Sequence, residues 1–270
     1  MEFIITWQFS TQWINIAEEA LFANSIVFPN IKAYNTNKAT PHERNIHMPL
    51  PMVHLSVAHK LINAGLQIKD QPQFYLGSIS PDAIHMRANI VPAEKSATHL
   101  IPDGQTRGSM WNNTSGDYYV KLVFDFIEAN KPNTNLDFLL GYAVHNLTDM
   151  YWTNNIYYQF ATDYETSAAP IENLQKAYYI DTDIVDYVLY TTSPWQPDIW
   201  QLLQTATSSN FLNLLSASEI KLWNERTLNW YTKPENQYKF EGTPKYITQQ
   251  DTENFISQCV ETIMIGMINQ

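Results

Sequence analysis

Apolar residues recur at helical spacing along most of the chain after residue 50. The run from Pro51 to Ala64 has proline in its first turn and Gly65 directly after its end, which are typical helix boundaries. The same spacing predicts a helix over Asp117–Asn130 and another around His145 that continues through Phe160. Four further helices are predicted at about residues 171–191, 195–206, 216–230 and 248–268.

The remaining segments are interpreted as breaks and loops. Gly77 and Ser78 interrupt an apolar run, and Pro81 with Asp82 is typical of the first turn of a short helix. Residues 88–116 contain several prolines and glycines and are predicted to form a long loop. No alternation typical of a strand persists after residue 50, so the predicted fold class is all-α.

The chain changes character at Met48. Residues 1–47 combine a mixed apolar stretch with a polar, loop-like segment and are predicted to be an N-terminal extension. Residues 48–270 are predicted to form the helical domain, and Met48 is a candidate for the physiological start. A chain of 270 residues with 44% hydrophobic content is long enough to bury a sizeable core.

Charge and cysteine content restrict the possible functions. Sixteen Lys and Arg residues against 27 Asp and Glu give a net charge of −11, which disfavours binding to nucleic acid or anionic lipid through charge. Cys259 is the single cysteine, so metal ligands are expected to be His, Asp or Glu. With no transmembrane run and no basic start of a signal peptide, a cytoplasmic location is predicted.

His145 and Asp149 are the strongest candidates for a functional pair. They lie one helical turn apart, so they share a face and can converge on one metal ion. Apolar residues surround them, which predicts that both are buried and need partners. A buried histidine paired with an aspartate in the core is the alternative interpretation.

Three more candidates precede this pair. They are His54 in the first predicted turn, Asp82 at the start of the short helix, and His99 in the long loop. Helix capping alone is the alternative for Asp82, and the neighbouring His85 is a possible ligand, an orienting residue or neither. Together, His54, Asp82, His99, His145 and Asp149 form a set of imidazoles and carboxylates that suits Zn²⁺.

The order and context of these residues resemble the zinc-dependent phospholipase C family, and its small intracellular bacterial branch in particular. The resembling motifs are Met48-Pro-Leu-Pro-Met-Val-His54, the Gly77-Ser-x-x-Pro-Asp82 block, His99-Leu100, and Gly141-Tyr-x-x-His145-x-x-x-Asp149. The resemblance covers about residues 48–160 by motif and the remainder by helix content. It implies a multi-helix bundle and metal-assisted hydrolysis of a phosphodiester, either lipid or small molecule.

The resemblance also implies roles for the candidates. Asp82, His99, His145 and Asp149 would hold one zinc ion, and His54 would lie at a neighbouring ion with Asp149 bridging. Either Asp82 or Asp149 would accept the proton of the attacking water. Secreted members hold a third ion with downstream histidines, but no histidine follows His145 here, so one or two ions are expected.

Other polar residues leave alternatives open. Aspartates 181, 183 and 186 can replace the missing ligands, although caps and solvated surface are commoner roles for such residues. Arg87 suits either a phosphate or a surface ion pair. Two further functions compete with the hydrolase: a metal-stabilised binding or structural protein without turnover, and a nuclease-like phosphodiesterase, which the acidic balance disfavours.

Overall fold

A computed structural model describes residues 50–112, 115–168 and 173–268, so the predicted extension of residues 1–47 lies outside the described residues. Within them the chain forms helices and no strand, apart from one isolated bridge between Phe211 and Leu215. The all-α prediction is confirmed. The α-helices, numbered in chain order, are α1 Pro51–Asn63, α2 Gln71–Ile79, α3 Pro92–Thr98, α4 Arg107–Met110, α5 Gly116–Asn130, α6 Leu136–Trp152, α7 Tyr158–Thr166, α8 Leu174–Thr192, α9 Gln196–Thr205, α10 Ala217–Trp230 and α11 Gln249–Ile268.

The predicted helices after residue 115 agree with the structure to within a few residues. Helices α6 and α7 are joined without a break by a π-helical turn, Thr153–Tyr157, so the predicted continuation through Phe160 is confirmed. Between residues 50 and 268, as far as the structure describes them, there are also two short 3₁₀ segments, Ser80–Met86 before α3 and Pro234–Phe240 after α10. No helix in the described parts of the chain has the length and apolarity to cross a bilayer.

Two predictions of irregular structure were wrong. Gly77 and Ser78 lie inside α2 rather than at a break, and the proposed loop over residues 88–116 contains α3 and α4. The first error has a clear physical cause. Glycine is a poor helix former in isolation, but here it allows another helix to approach closely.

The crossing of α2 and α6 is the closest helix contact in this region. A Cβ atom on Gly77 would lie 2.2 Å from the carbonyl oxygen of Phe138, and one on Gly141 would lie 2.1 Å from that of Phe74. Each helix therefore contributes one glycine opposite the backbone of the other. Because no side chain separates them at these points, the backbone of α2 lies within hydrogen-bond reach of side chains on α6.

Helix α1 is fixed against this pair. It packs on α2, α6, α8 and α11, and nearly every residue of its first two turns is buried. Its N-terminus has no local side-chain cap, but the carboxyl group of Asp186 on α8 accepts a hydrogen bond from the Met52 N–H at 3.0 Å through its Oδ1 atom. A buried aspartate on another helix thus satisfies an otherwise unpaired amide and positions the turn that carries His54.

Candidate metal centre

Helix α6 carries the central pair. The Asn135 side chain caps this helix by accepting from the Phe138 N–H at 3.0 Å, and His145 and Asp149 follow on one face. Both side chains are fully buried. The His145 Nε2 atom lies 3.3 Å from the Asp149 Oδ2 atom.

The close helix crossing determines the tautomer of His145. Its Nδ1–H donates to the Ser78 carbonyl at 2.9 Å, and this carbonyl belongs to the glycine-containing turn of α2. With the proton on Nδ1, the Nε2 atom presents a lone pair to Asp149. A backbone carbonyl behind an imidazole is the usual way in which proteins orient a metal-ligating histidine.

His99 is held in the same manner at the end of α3. Its Nδ1–H donates to the Lys95 carbonyl at 2.9 Å, so its Nε2 atom also presents a lone pair. That Nε2 atom lies 3.5 Å from Asp82 Oδ1 and 3.4 Å from Asp149 Oδ2. Asp82 reaches this point from the first turn of the 3₁₀ segment after α2.

These contacts bring hydrogen-bond acceptors face to face. The Nε2 atoms of His99 and His145 and both oxygens of Asp149 are buried and have no hydrogen-bond partner within the described residues. Two acceptors at such distances repel each other unless a proton or a cation lies between them. Ligands about 2.0–2.1 Å from a tetrahedral zinc ion would be separated by about 3.3–3.4 Å. The observed separations of 3.3–3.5 Å match that spacing.

His54 adds a second position beside the first. Its ring stacks on that of His145, with centroids 3.8 Å apart and planes 7° from parallel. Its Nε2 atom lies 3.4 Å from Asp149 Oδ1, whereas His99 and His145 lie near Oδ2. The two oxygens of Asp149 therefore face different histidines, as a carboxylate that bridges two ions would do.

The structure thus brings all five sequence-predicted ligands together. Among the described residues, two groups have donor atoms close enough to hold a metal ion. One group is His54, His145 and Asp149, and the other is Asp82, His99 and His145. We refer to the five residues as the metal centre.

Electrostatics within the metal centre differ between its two carboxylates. Burial would raise the pKa of Asp82, but His99, His145 and His85 outweigh this effect and hold it well below its usual value. Burial raises the pKa of Asp149, which lies deeper. Burial, with a contribution from Arg107, lowers the pKa of His99 to about 3, so its imidazole is neutral, as metal ligation requires.

The other sequence candidates have different roles. Asp181 accepts three backbone N–H bonds, from Lys245, Tyr246 and Ile247, and Asp186 accepts from Met52 and from the Tyr231 hydroxyl. Both are buried structural anchors rather than replacement ligands. The suggestion that Arg87 binds phosphate is not supported, because its guanidinium is bonded to Glu219, Glu94 and a backbone carbonyl.

A cleft of about 880 Å³ opens beside the metal centre. Asp82 lines the wall of this cleft and also belongs to the metal centre, and its side chain is 13% exposed. His85 also lines the cleft, with its Nε2 atom 3.8 Å from Asp82 Oδ1, but it is not part of either donor group. The wall further includes Met86, Lys95, Tyr179, Asp183, Trp223, Arg226, Trp230, Tyr238, Lys239 and Glu241.

Sequence reasoning missed the basic residues around this cleft. Lys95 lies on α3, Arg107 begins α4 and Arg226 lies on α10. Each comes from a different element and has no characteristic spacing relative to the ligands. A π-helical turn starts four residues after Asp149, and such turns are common near functional sites.

Comparison with models of protein families, with characterised proteins and with solved structures found no match for this chain. The resemblance to zinc-dependent phospholipases C stays a prediction.

Proposed function

We propose that the chain is a zinc-dependent hydrolase of phosphodiesters, of the phospholipase C type. One observation carries the proposal. Buried ligand atoms of His99, His145 and Asp149 face one another as hydrogen-bond acceptors, and the partly exposed Asp82 connects them to a large cleft.

The donor set supports zinc over other ions. Imidazole nitrogen combined with carboxylate oxygen is a ligand set typical of Zn²⁺, whereas Mg²⁺ and Ca²⁺ prefer oxygen alone. Backbone carbonyls fix the imidazoles of His99 and His145 with Nε2 available, which is the orientation expected of zinc ligands. A zinc ion at this place would supply Lewis acidity, which activates water and neutralises charge on a phosphoryl oxygen.

The two aspartates of the metal centre are assigned different roles because they occupy different positions. Asp149 is fully buried and approached by three imidazoles, so its role is to hold ions. Asp82 is the carboxylate that borders the cleft, where an attacking water can approach it. Asp82 is therefore the better candidate to accept a proton from a water that attacks phosphorus from the cleft.

A metal-stabilised protein without turnover is the second candidate. The burial of His54, His99, His145 and Asp149 favours it, because a closed shell of protein ligands stabilises structure without chemistry. The position of Asp82 favours the hydrolase, since one ligand edge faces the cleft. The two candidates differ in whether metal-loaded protein turns over an ester.

The test uses the zinc-loaded full chain and bis(4-nitrophenyl) phosphate. We expect zinc-dependent release of nitrophenolate, and loss of both zinc and turnover in His145→Ala and Asp149→Ala. Asp82→Asn should lower turnover by about 100-fold or more, the range expected for a lost general base. His59→Ala is the matched control, because His59 bonds to Tyr75 and Asn63 and lies outside the metal centre.

Two results would contradict the proposal. Turnover that persists in Asp149→Ala would place the chemistry elsewhere. Zinc bound at one or two equivalents with no hydrolysis of any phosphodiester tested would favour the metal-stabilised protein without turnover.

A further inference from the structure

Three basic side chains lie near Asp82, the residue that connects the metal centre to the cleft. The pKa of the His85 imidazole is lowered mainly by burial. It is lowered further by the positive charges of Lys95, Arg107 and Arg226. All three also interact electrostatically with Asp82. Lys95 and Arg226 line the cleft beside Asp82, and the buried Arg107 lies near enough to interact with the same carboxylate.

None of the three has an ion-pair partner within 4.0 Å among the described residues. Arg87, by contrast, lies only five residues after Asp82 and is fully paired with Glu219 and Glu94. Arg107 is the most unusual of the three, because its Nη2 atom is buried and has no hydrogen-bond partner in the described chain. A buried donor without an acceptor is costly, and such donors commonly mark a place where a ligand binds.

Aromatic rings in the cleft wall contact two of its cations, Arg226 and Lys239. The Arg226 guanidinium lies 4.5 Å from the Trp223 ring centroid and 4.2 Å from that of Trp230. The Lys239 ammonium is also 4.2 Å from the Trp230 centroid. Because protein cations already contact the Trp223 and Trp230 rings, these two rings are not available as an aromatic cage for a cationic ligand.

A metal ion changes the charge of this region. Without it, the carboxylates of Asp82 and Asp149 offset part of the nearby positive charge. A divalent cation bound to those carboxylates neutralises them, and Lys95 and Arg107 then lose the negative charge that offsets theirs. Arg226 keeps a partial offset from Asp183, which also lines the cleft. Positive charge at a cleft of low dielectric favours an anion that carries several hydrogen-bond acceptors.

We propose that Lys95, Arg107 and Arg226 form an oxyanion-binding site beside the metal centre, which takes a phosphoryl dianion of the kind found in phosphate monoesters. The inference rests on the proposed function for the bound metal ion and for the identity of the substrate, which would carry this group in addition to the cleaved diester. The oxyanion site itself binds inorganic phosphate whether or not the chain hydrolyses an ester.

The test is calorimetric titration of inorganic phosphate into the zinc-loaded full chain. We expect phosphate to bind the parent. In Arg107→Gln and in Arg226→Gln the affinity for phosphate should fall by about tenfold or more, as expected for a lost charge-assisted hydrogen bond. Lys221→Gln is the matched control on α10, because Lys221 is exposed and lies 3.8 Å from Glu225. It should bind phosphate as the parent does. Zinc content, measured on each sample, shows that the metal centre is intact.

The outcomes separate the two proposals. Phosphate affinity that is unchanged in both arginine variants, or absent in the parent, overturns the oxyanion site even if esters are hydrolysed. Phosphate binding that needs both arginines supports the site even if no ester is hydrolysed. Should Arg107→Gln fail to fold, Lys95→Gln and Arg226→Gln decide the matter, since both side chains line the open cleft.

Discussion

The crossing of α2 and α6 gives the sharpest prediction, because it connects packing to the metal centre. We expect Gly141→Ala to destabilise the fold and to weaken metal binding together. The added Cβ would lie 2.1 Å from the Phe74 carbonyl oxygen and 2.8 Å from the Ser78 nitrogen. Both are backbone atoms, so no side-chain rotation can relieve the contact.

The size of the effect follows from these distances. The helices must separate until the 2.1 Å contact reaches the 3.4 Å at which ordinary contact begins. Overpacking of a core typically costs about 1–3 kcal/mol, and a backbone clash belongs at the upper end or beyond. Replacing glycine by alanine within a helix stabilises the helix by about 1 kcal/mol, which offsets part of this cost. We therefore expect a net loss of about 2 kcal/mol in the free energy of unfolding.

Metal affinity should fall because α2 carries the Ser78 carbonyl that orients His145. Loss of such a supporting hydrogen bond typically lowers metal affinity by about 10–100-fold. The assay is urea denaturation of the metal-free chain, followed by competition for zinc against a chromophoric chelator. The matched control is Gly266→Ala in α11, whose Cβ would meet only the flexible Phe124 ring at 3.4 Å.

Gly266→Ala should be neutral or more stable by up to about 1 kcal/mol, since it gains helix propensity without a backbone clash. If Gly141→Ala has the same urea midpoint as the parent, or shifts in the same direction as Gly266→Ala, the crossing is not as close as described. An unchanged zinc affinity in a destabilised Gly141→Ala would separate packing from ligand orientation and refute the connection.

Three further predictions concern buried carboxylates and the metal itself. Asp181→Ala should lower the free energy of unfolding by about 3 kcal/mol in urea titrations, because it leaves three backbone donors without an acceptor, whereas Asp183→Ala at the cleft should change it little. Burial raises the pKa of Asp186 to about 8, so the folded chain holds this proton more tightly than the unfolded chain. Its contribution to stability is therefore lost as pH rises from about 4 to about 8, and urea midpoints across that range should fall less in Asp186→Asn than in the parent. Zinc at 100 times its dissociation constant should raise the free energy of unfolding by about 2.7 kcal/mol in the parent and not in Asp149→Ala, as thermal melts with and without chelator can show.

The sequence predicted most of the helices, because amphipathic periodicity is a local property. Helix α5 and the four helices after residue 170 have regular apolar spacing and clear boundaries, and the structure agrees with them. Helix α2 was missed for a non-local reason. Glycine at position 77 allows the close approach of Phe138, which lies more than sixty residues away in the sequence.

The candidate site shows the same division between local and non-local information. His145 and Asp149 were identifiable from their spacing within one helix, and His54, Asp82 and His99 from their residue types and context. Lys95, Arg107 and Arg226 carry no such signal, since their convergence depends on how three separate helices pack. The anchoring roles of Asp181 and Asp186 were likewise visible only once their distant backbone partners were known.

The most direct test of the account is the zinc K-edge X-ray absorption spectrum of the full chain loaded with one equivalent of zinc. We predict a shell of nitrogen and oxygen ligands at about 2.0–2.1 Å with imidazole outer-shell scattering, and no sulfur ligand. In His145→Ala the imidazole scattering should weaken. A sulfur shell at about 2.3 Å, a shell of six oxygens, or a spectrum unchanged by His145→Ala would contradict the metal centre described above.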